Sequence, residues 1–177
     1  FLYCRVSFFI TESVSLLQNQ FDFKKTAIDE VGVVPIWANN DRVKPIPKPL
    51  NKFAVQNNQV GFFTVLYSGN IGASHDIETI LGAADILLSH NDIKFIFIGN
   101  GHKKAIIDRY IADKKKSNVT LLPLQSDNIF PLSISVGDVS LVALDYGAEK
   151  LMIPSKVSYY MAAGSAIIGI CDKNNDL

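Results

Sequence analysis

Short apolar runs alternate with segments of helical periodicity between residues 62 and 170. Along the intervening segments apolar residues recur at spacings of three and four, most regularly between Ile77 and Leu88, which predicts amphipathic helices. Strands that are apolar at nearly every position and separated by helices indicate a parallel sheet covered on both faces. Right-handed crossovers then predict a doubly wound, Rossmann-like α/β fold. The predicted strands span 62–67, 93–98, 119–122, 138–144 and 166–170, and the predicted helices span 76–90, 102–115, 126–134 and 154–163.

The first 60 residues have a different pattern. Residues 6–11 and 31–36 predict two strands with a short helix after Ser13 between them, and three prolines follow at alternate positions, 45, 47 and 49. Proline cannot donate a backbone hydrogen bond in a β-sheet and does not fit a helix interior. This stretch therefore predicts a stiff, extended connector. We therefore expect residues 1–36 to be the tail of a preceding domain, 37–60 a proline-rich linker and 61–177 a ligand-binding domain. The start without Met and the stop after an apolar run predict a fold that is incomplete at both ends.

Charge and cysteine content exclude several functional classes. The 177 residues include 17 Lys and Arg and 17 Asp and Glu, so bulk electrostatic attraction to nucleic acid is not expected. Cys4 and Cys171 lie far apart, which argues against a disulfide scaffold and favours a reducing cytoplasm. The apolar runs are too short to span a bilayer, and no basic region precedes residues 1–10 as in a signal peptide.

Two glycine-marked loops follow neighbouring predicted strands. Gly69 and Gly72 follow the first, and Gly99, Asn100 and Gly101 follow the second. Ligands of doubly wound sheets bind outside the carboxyl ends of the strands, where helix N-termini offer free N–H groups to phosphate. One such loop is as readily a tight βα turn, but two in adjacent crossovers favour an anion site.

Three polar residues add to this hypothesis. His75 stands beside the first glycine loop and is a candidate phosphate contact. Ser155 and Lys156 follow Pro154 at a predicted helix start, where a hydroxyl and an ammonium near the positive end of the helix could both bind a diphosphate. Alone, this segment is better explained as a capped helix with a solvated lysine. Asp138 and Asp145 flank a predicted strand, and we expect them to act as caps or to lie in turns.

Other chemistries lack their signatures. Neither glycine loop has the G-x-G-x-x-G register, and the second strand ends in Ile98-Gly99-Asn100 rather than in the acidic residue that would hold a ribose, so NAD is disfavoured. No Walker loop, no nucleophile–base pair and no metal-ligand spacing is readable. We predict no metal and no cofactor.

The ordered motifs resemble the C-terminal half of GT-B-fold glycosyltransferases, most closely the retaining group-4-type enzymes of bacterial capsule, exopolysaccharide and lipopolysaccharide biosynthesis. The resemblance rests on five strings: VPIWA (34–38), LYSGNIG (66–72), FIFIGNG (95–101), DVSLVAL (138–144) and PSKVSYYMAAG (154–164). It also includes Asn118-Val119 to Leu124. Order and spacing are intact throughout.

The resemblance implies two Rossmann-like domains facing a cleft, with the acceptor and the catalytic residues in the N-terminal one and the nucleotide-sugar donor in the C-terminal one. It implies sugar transfer from a UDP- or GDP-linked donor to a saccharide or lipid-linked acceptor with retention, in the cytoplasm at the inner face of the membrane, with peripheral membrane association through the N-terminal domain. The implied donor-binding residues are Gly69, Asn70, Gly72, His75, Gly99, Asn100, Gly101, Leu122, Leu124, Ser155, Lys156 and Tyr159.

The chain departs from the family at four positions. A Glu-x7-Glu pair of many relatives falls on Leu151 and Tyr159, and an Arg and a Lys of relatives fall on Asn70 and His75. A non-catalytic nucleotide-binding or partner-binding module and a sugar-nucleotide epimerase therefore stay open as alternatives.

Overall fold

The computed structural model describes residues 5–6, 9–11, 27–28, 31–34, 36–113, 118–145 and 154–172. Near the N-terminus, β1 (Arg5–Val6) pairs in parallel with β3 (Ala27–Ile28), and β2 (Phe9–Thr11) pairs in parallel with β4 (Val31–Val33). The helix predicted after Ser13, and Cys4, Pro35 and Leu151, lie outside the described residues.

Five parallel strands form the sheet that organises the rest of the described chain. They are β5 (Phe63–Ser68), β6 (Ile93–Ile98), β7 (Val119–Leu122), β8 (Val139–Ala143) and β9 (Ala166–Ile170), in the order β7-β6-β5-β8-β9. The doubly wound, Rossmann-like α/β prediction is thereby confirmed. The strand order reverses between β5 and β8, and the carboxyl ends of these two strands mark the place where such sheets bind ligands.

The helices are shorter than predicted, and one was missed. They are α1 (Lys52–Gln56), α2 (Ile77–Ile86), α3 (Lys104–Ala112), α4 (Phe130–Ile134) and α5 (Lys156–Ala162), with a 3₁₀ turn at Lys48–Leu50. The missed helix, α1, is capped by Asn51, whose side chain accepts hydrogen bonds from the amides of Phe53 (3.0 Å) and Ala54 (3.3 Å). None of the helices in these ranges has the length and apolar character needed to cross a bilayer.

Buried apolar residues form two clusters, and alternate positions of β5 contribute to one or the other. Val65 and Tyr67 of β5 face α2 and α3, whereas Leu66 faces α1, α4 and α5. The second core also holds Val43 and Phe53 from the stretch predicted as a linker. That stretch packs on the sheet instead of standing apart from it. The division into linker and domain stays a prediction.

A lysine ties this stretch to the start of the sheet. The Lys48 ammonium donates to Thr64 Oγ1 at 2.9 Å and pairs with the Asp138 carboxylate, which also accepts from the Thr64 amide at 2.6 Å. Asp138 therefore anchors a cation and a strand amide, beyond the capping role that the sequence predicted.

The two glycine loops are in direct backbone contact. The amide of Gly69 donates to the Ile98 carbonyl at 2.9 Å, and that of Ile71 donates to the Asn100 carbonyl at 2.8 Å. A Cβ on Gly99 would lie 1.9 Å from the Gly69 carbonyl oxygen, and one on Gly101 would lie 2.5 Å from that of Ile71. These two glycines are therefore required by the contact between the loops.

The loop contact predicts opposite effects for two glycine substitutions. We expect Gly99→Ala to lower the free energy of unfolding by about 2 kcal/mol or more, because its backbone neighbour cannot move away without breaking the ladder. Gly82→Ala in α2 is the control: no atom within 4 Å would meet its Cβ, and we expect a gain of about 0.5–1 kcal/mol. Urea unfolding measures both. A Gly99→Ala chain as stable as the wild type would contradict the loop contact.

Candidate functional site

Tyr160, in the second turn of α5, joins this helix to the end of the central strand. Its hydroxyl accepts a hydrogen bond from the Ser68 amide at 2.9 Å and donates to the Ser68 carbonyl at 3.2 Å. The Tyr160 side chain is fully buried, and burial raises its pKa, so the hydroxyl keeps the proton that it donates. The N-terminus of α5 is thereby held at the carboxyl end of β5.

One turn before Tyr160, the side chain of Lys156 reaches the ring of Tyr67 on the central strand. Its Nζ atom is 4.0 Å from the centroid of the Tyr67 ring, is buried, and has no hydrogen-bond partner among the described residues. Burial lowers the pKa of Lys156 to about 8. At neutral pH the site therefore holds a positive charge that, among the described residues, is stabilised by an aromatic face and by no acceptor.

The imidazole of His75 joins the first glycine loop to Tyr67. Its Nδ1 atom lies 3.0 Å from the Tyr67 hydroxyl and 3.2 Å from the Gly72 amide, which donates to it. Burial lowers the pKa of His75, and the positive charge of Lys156 lowers it further. His75 is therefore mostly neutral at pH 7, and in this buried position it acts through hydrogen bonds rather than as a charge.

The other predicted residues lie at varied distances from this centre. Asn70 and Asn100 are exposed on the paired glycine loops, and Ser155 is exposed at the start of α5, where its side chain makes no capping hydrogen bond. The carbonyl of Leu122 accepts from the Gly99 amide at 3.0 Å, which places the end of β7 beside the second glycine loop.

Leu124 and Tyr159 border the outer part of the candidate site. Leu124 is 68% exposed on the loop that follows β7. Tyr159 is half-buried, and its ring meets that of Phe130 edge-on with centroids 5.2 Å apart. The position that the resemblance associates with a Glu thus carries an aromatic contact between α5 and α4.

Sequence reasoning missed Tyr67, Tyr160 and Lys103. The pattern assigns the two tyrosines only to a predicted strand and a predicted helix, although a hydroxyl at the end of a buried strand needs a partner. Lys103 pairs with Asp145, for which the sequence predicted a capping role. The signal available in the sequence was the position of each residue next to a glycine loop or a helix start.

Comparison with known proteins points to glycosyltransferases, although no family model matches the chain. WcaI of Escherichia coli K12, named as a colanic acid biosynthesis glycosyl transferase, is 34% identical over 100 residues, which is 56% of this chain and 24% of WcaI. WbjE of Pseudomonas aeruginosa, named as a glycosyltransferase, is 28% identical over 144 residues, covering 80% of this chain and 35% of WbjE. This chain thus spans about a quarter to a third of the length of these relatives.

A solved structure shares the fold. Anabaena HepE in complex with UDP-glucose superimposes with a TM-score of 0.65 and 14% sequence identity, covering 90% of this chain and 43% of HepE. The described sheet therefore shares the Rossmann-like α/β fold of the HepE structure, and the curated proteins to which the chain is similar are named as glycosyltransferases.

Proposed function

We propose that this chain is the donor-binding part of a glycosyltransferase that moves a sugar from a UDP- or GDP-linked donor to a saccharide or lipid-linked acceptor in cell-surface polysaccharide biosynthesis. The names of WcaI and WbjE and the UDP-glucose bound to HepE support this proposal. The proposal also includes retention of configuration at the transferred sugar and transfer of a hexosyl group. Both rest on the family resemblance. We place the protein in the cytoplasm, at the membrane face that a lipid-linked acceptor would require.

The observation that carries the proposal is the ammonium of Lys156, which has no hydrogen-bond partner among the described residues. Most buried polar groups of native proteins have a partner, and an exception calls for one. Lys156 Nζ lies at the end of the central strand and at the first turn of α5, where the helix dipole favours an anion. A diphosphate would supply the missing acceptors.

This geometry also suits the chemistry of transfer. When the bond between sugar and nucleotide breaks, negative charge grows on the leaving diphosphate. An ammonium already held in place stabilises that charge without reorganising solvent. The exposed hydroxyl of Ser155 stands at the same helix start and can donate to a second phosphate oxygen.

A non-catalytic nucleotide-binding module is the second candidate, and one observation favours it. Tyr159 occupies a position where the resemblance places a Glu, and its ring packs on Phe130. Labelled UDP- and GDP-sugars, supplied with and without acceptor to the whole protein, separate the candidates. Transfer to an acceptor supports the glycosyltransferase, binding without turnover supports the module, and a changed sugar without acceptor supports an epimerase.

Replacing the lysine tests the diphosphate site. We expect Lys156→Met to weaken binding of UDP or GDP about tenfold or more, because the variant cannot donate charge-assisted hydrogen bonds to the phosphates. Lys52→Met is the matched control, since Lys52 is exposed on α1. Titration calorimetry of the chain with each nucleotide measures the effect. Equal affinities for the wild type and Lys156→Met would refute this role.

The same substitution is expected to stabilise the free protein. Burying an unpaired ammonium costs folding free energy, so Lys156→Met should raise the free energy of unfolding at pH 7 by about 1–3 kcal/mol. The folded chain holds this proton less tightly than the unfolded chain. Wild-type stability should therefore rise as the pH rises from about 8 to 10.5, and the difference between the two proteins should disappear over that window. Chemical unfolding at several pH values measures this, and a destabilised variant at pH 7 would contradict it.

Nucleotide binding is expected to depend on pH through the same group. The ammonium is charged below its pKa of about 8, so wild-type affinity should fall as the pH rises from 7 through 8. Lys156→Met should have a flat profile across this range. A wild-type profile that is equally flat from pH 7 to 9.5 would show that this lysine does not hold the anion.

A further inference from the structure

A second lysine stands at the edge of the candidate site in a dense ionic network. The Nζ atom of Lys103 lies 3.0 Å from Glu78 Oε2 and 3.1 Å from Asp145 Oδ2, and its side chain is 15% exposed. One carboxylate oxygen from each of Asp76, Glu78 and Asp145 lies within 4.8 Å of the others. A single ammonium therefore holds together acidic groups that would otherwise repel one another.

Lys103 and Asp145 also connect the loops through their backbones. The Lys103 amide donates to the Ile71 carbonyl at 3.0 Å, and the Asp145 amide donates to the Ser74 carbonyl at 2.9 Å. Lys103 follows β6, Asp145 follows β8, and Ile71 and Ser74 follow β5. The network thus joins the loops at the carboxyl ends of three strands, on both sides of the point where the strand order reverses.

We propose that Lys103 is a positioning residue of the diphosphate site: its ammonium, bridging Glu78 and Asp145, holds the loops after β5, β6 and β8 in the one arrangement that presents the anion-binding groups together. The residue acts through these loops and not by contacting the ligand, because its own charge is already shared between two carboxylates. This inference rests on the proposed function for the identity of the ligand. The ion-paired group of Lys103, Glu78 and Asp145, called the clamp below, is a property of the free chain.

His75 is a natural reporter of the clamp. Four charged or polar groups on surrounding elements act on its ring besides burial: Lys156 and Lys103 lower its pKa, whereas Asp145 and the Asn70 carbonyl raise it. The Tyr67 hydroxyl contacts the ring from β5. Removing the charge of Lys103 should therefore raise the pKa of His75, and removing that of Asp145 should lower it.

The first test measures the clamp without any ligand. In NMR titrations, we expect the His75 pKa to rise in Lys103→Gln, to fall in Asp145→Asn and to stay unchanged in Lys104→Gln. Lys104 is a matched control because it is the next residue and is also ion-paired, with Asp108 on the surface of α3. Amide hydrogen exchange at Asp145 should be faster in Lys103→Gln, since the loops are freed. Unchanged exchange at Asp145 would overturn the clamp even if the His75 pKa moves, because loss of the Lys103 charge alone shifts that pKa.

The second test measures binding of UDP and GDP by calorimetry. Lys103→Gln should weaken the affinity about tenfold, Lys103→Arg should recover most of it, and Lys104→Gln should bind like the wild type. Wild-type affinity in Lys103→Gln, despite a shifted His75, would overturn the positioning role. A wild-type chain that binds neither nucleotide would refute the proposed function instead, and the His75 and exchange data would still decide the clamp. If Lys103→Gln fails to fold, Asp145→Asn supplies the same two readouts, faster exchange at the freed loops and weaker nucleotide binding.

Discussion

The two hydrogen bonds between Tyr160 and the backbone of Ser68 are the constraint on which the candidate site depends. They join a helix of seven residues to the last residue of the central strand, where the strand gives way to the first glycine loop. Residues four apart share a helix face, so fixing Tyr160 also fixes Lys156 one turn earlier. The Lys156 ammonium lies over the Tyr67 ring, 4.0 Å from its centroid. Tyr160 thus helps to position the charge of Lys156 through contacts within the protein.

The contrast among four lysines supports the proposal that Lys156 serves in ligand binding rather than in stability. Lys48, Lys103 and Lys104 each pair with a carboxylate, which is the ordinary way to stabilise a partly buried cation. Lys156 has an aromatic face and no acceptor among the described residues. A cation–π contact offsets part of the desolvation cost and leaves the N–H donors unused. Residues that cost stability and are retained at the ligand edge of a sheet are typical of functional sites.

The sequence predicted the sheet well because buried parallel strands are continuous apolar runs. The bounds of β6, β7 and β9 agree with the predicted ones residue for residue. Helix ends agreed less well, and α1 was missed because nearby prolines masked a five-residue helix capped by Asn51. The environment of Lys156 could not be predicted, since the ring beneath it comes from a strand that lies 89 positions earlier in the chain. Only the fold brings the two together.

The glycine loops change how a ligand would be recognised. The sequence suggested backbone amides open to phosphate, but the amides of Gly69 and Ile71 donate to the neighbouring loop, and the Gly72 amide donates to His75. These loops therefore supply a fixed shape, and side chains such as Lys156 and Ser155 remain to supply charge and donors. A surface fixed before the ligand arrives loses little conformational entropy on binding. If the proposed function holds, we expect the choice between nucleotides to depend on exposed groups, Asn70 and Asn100 on the glycine loops and Leu124 on the loop after β7, rather than on the glycines themselves.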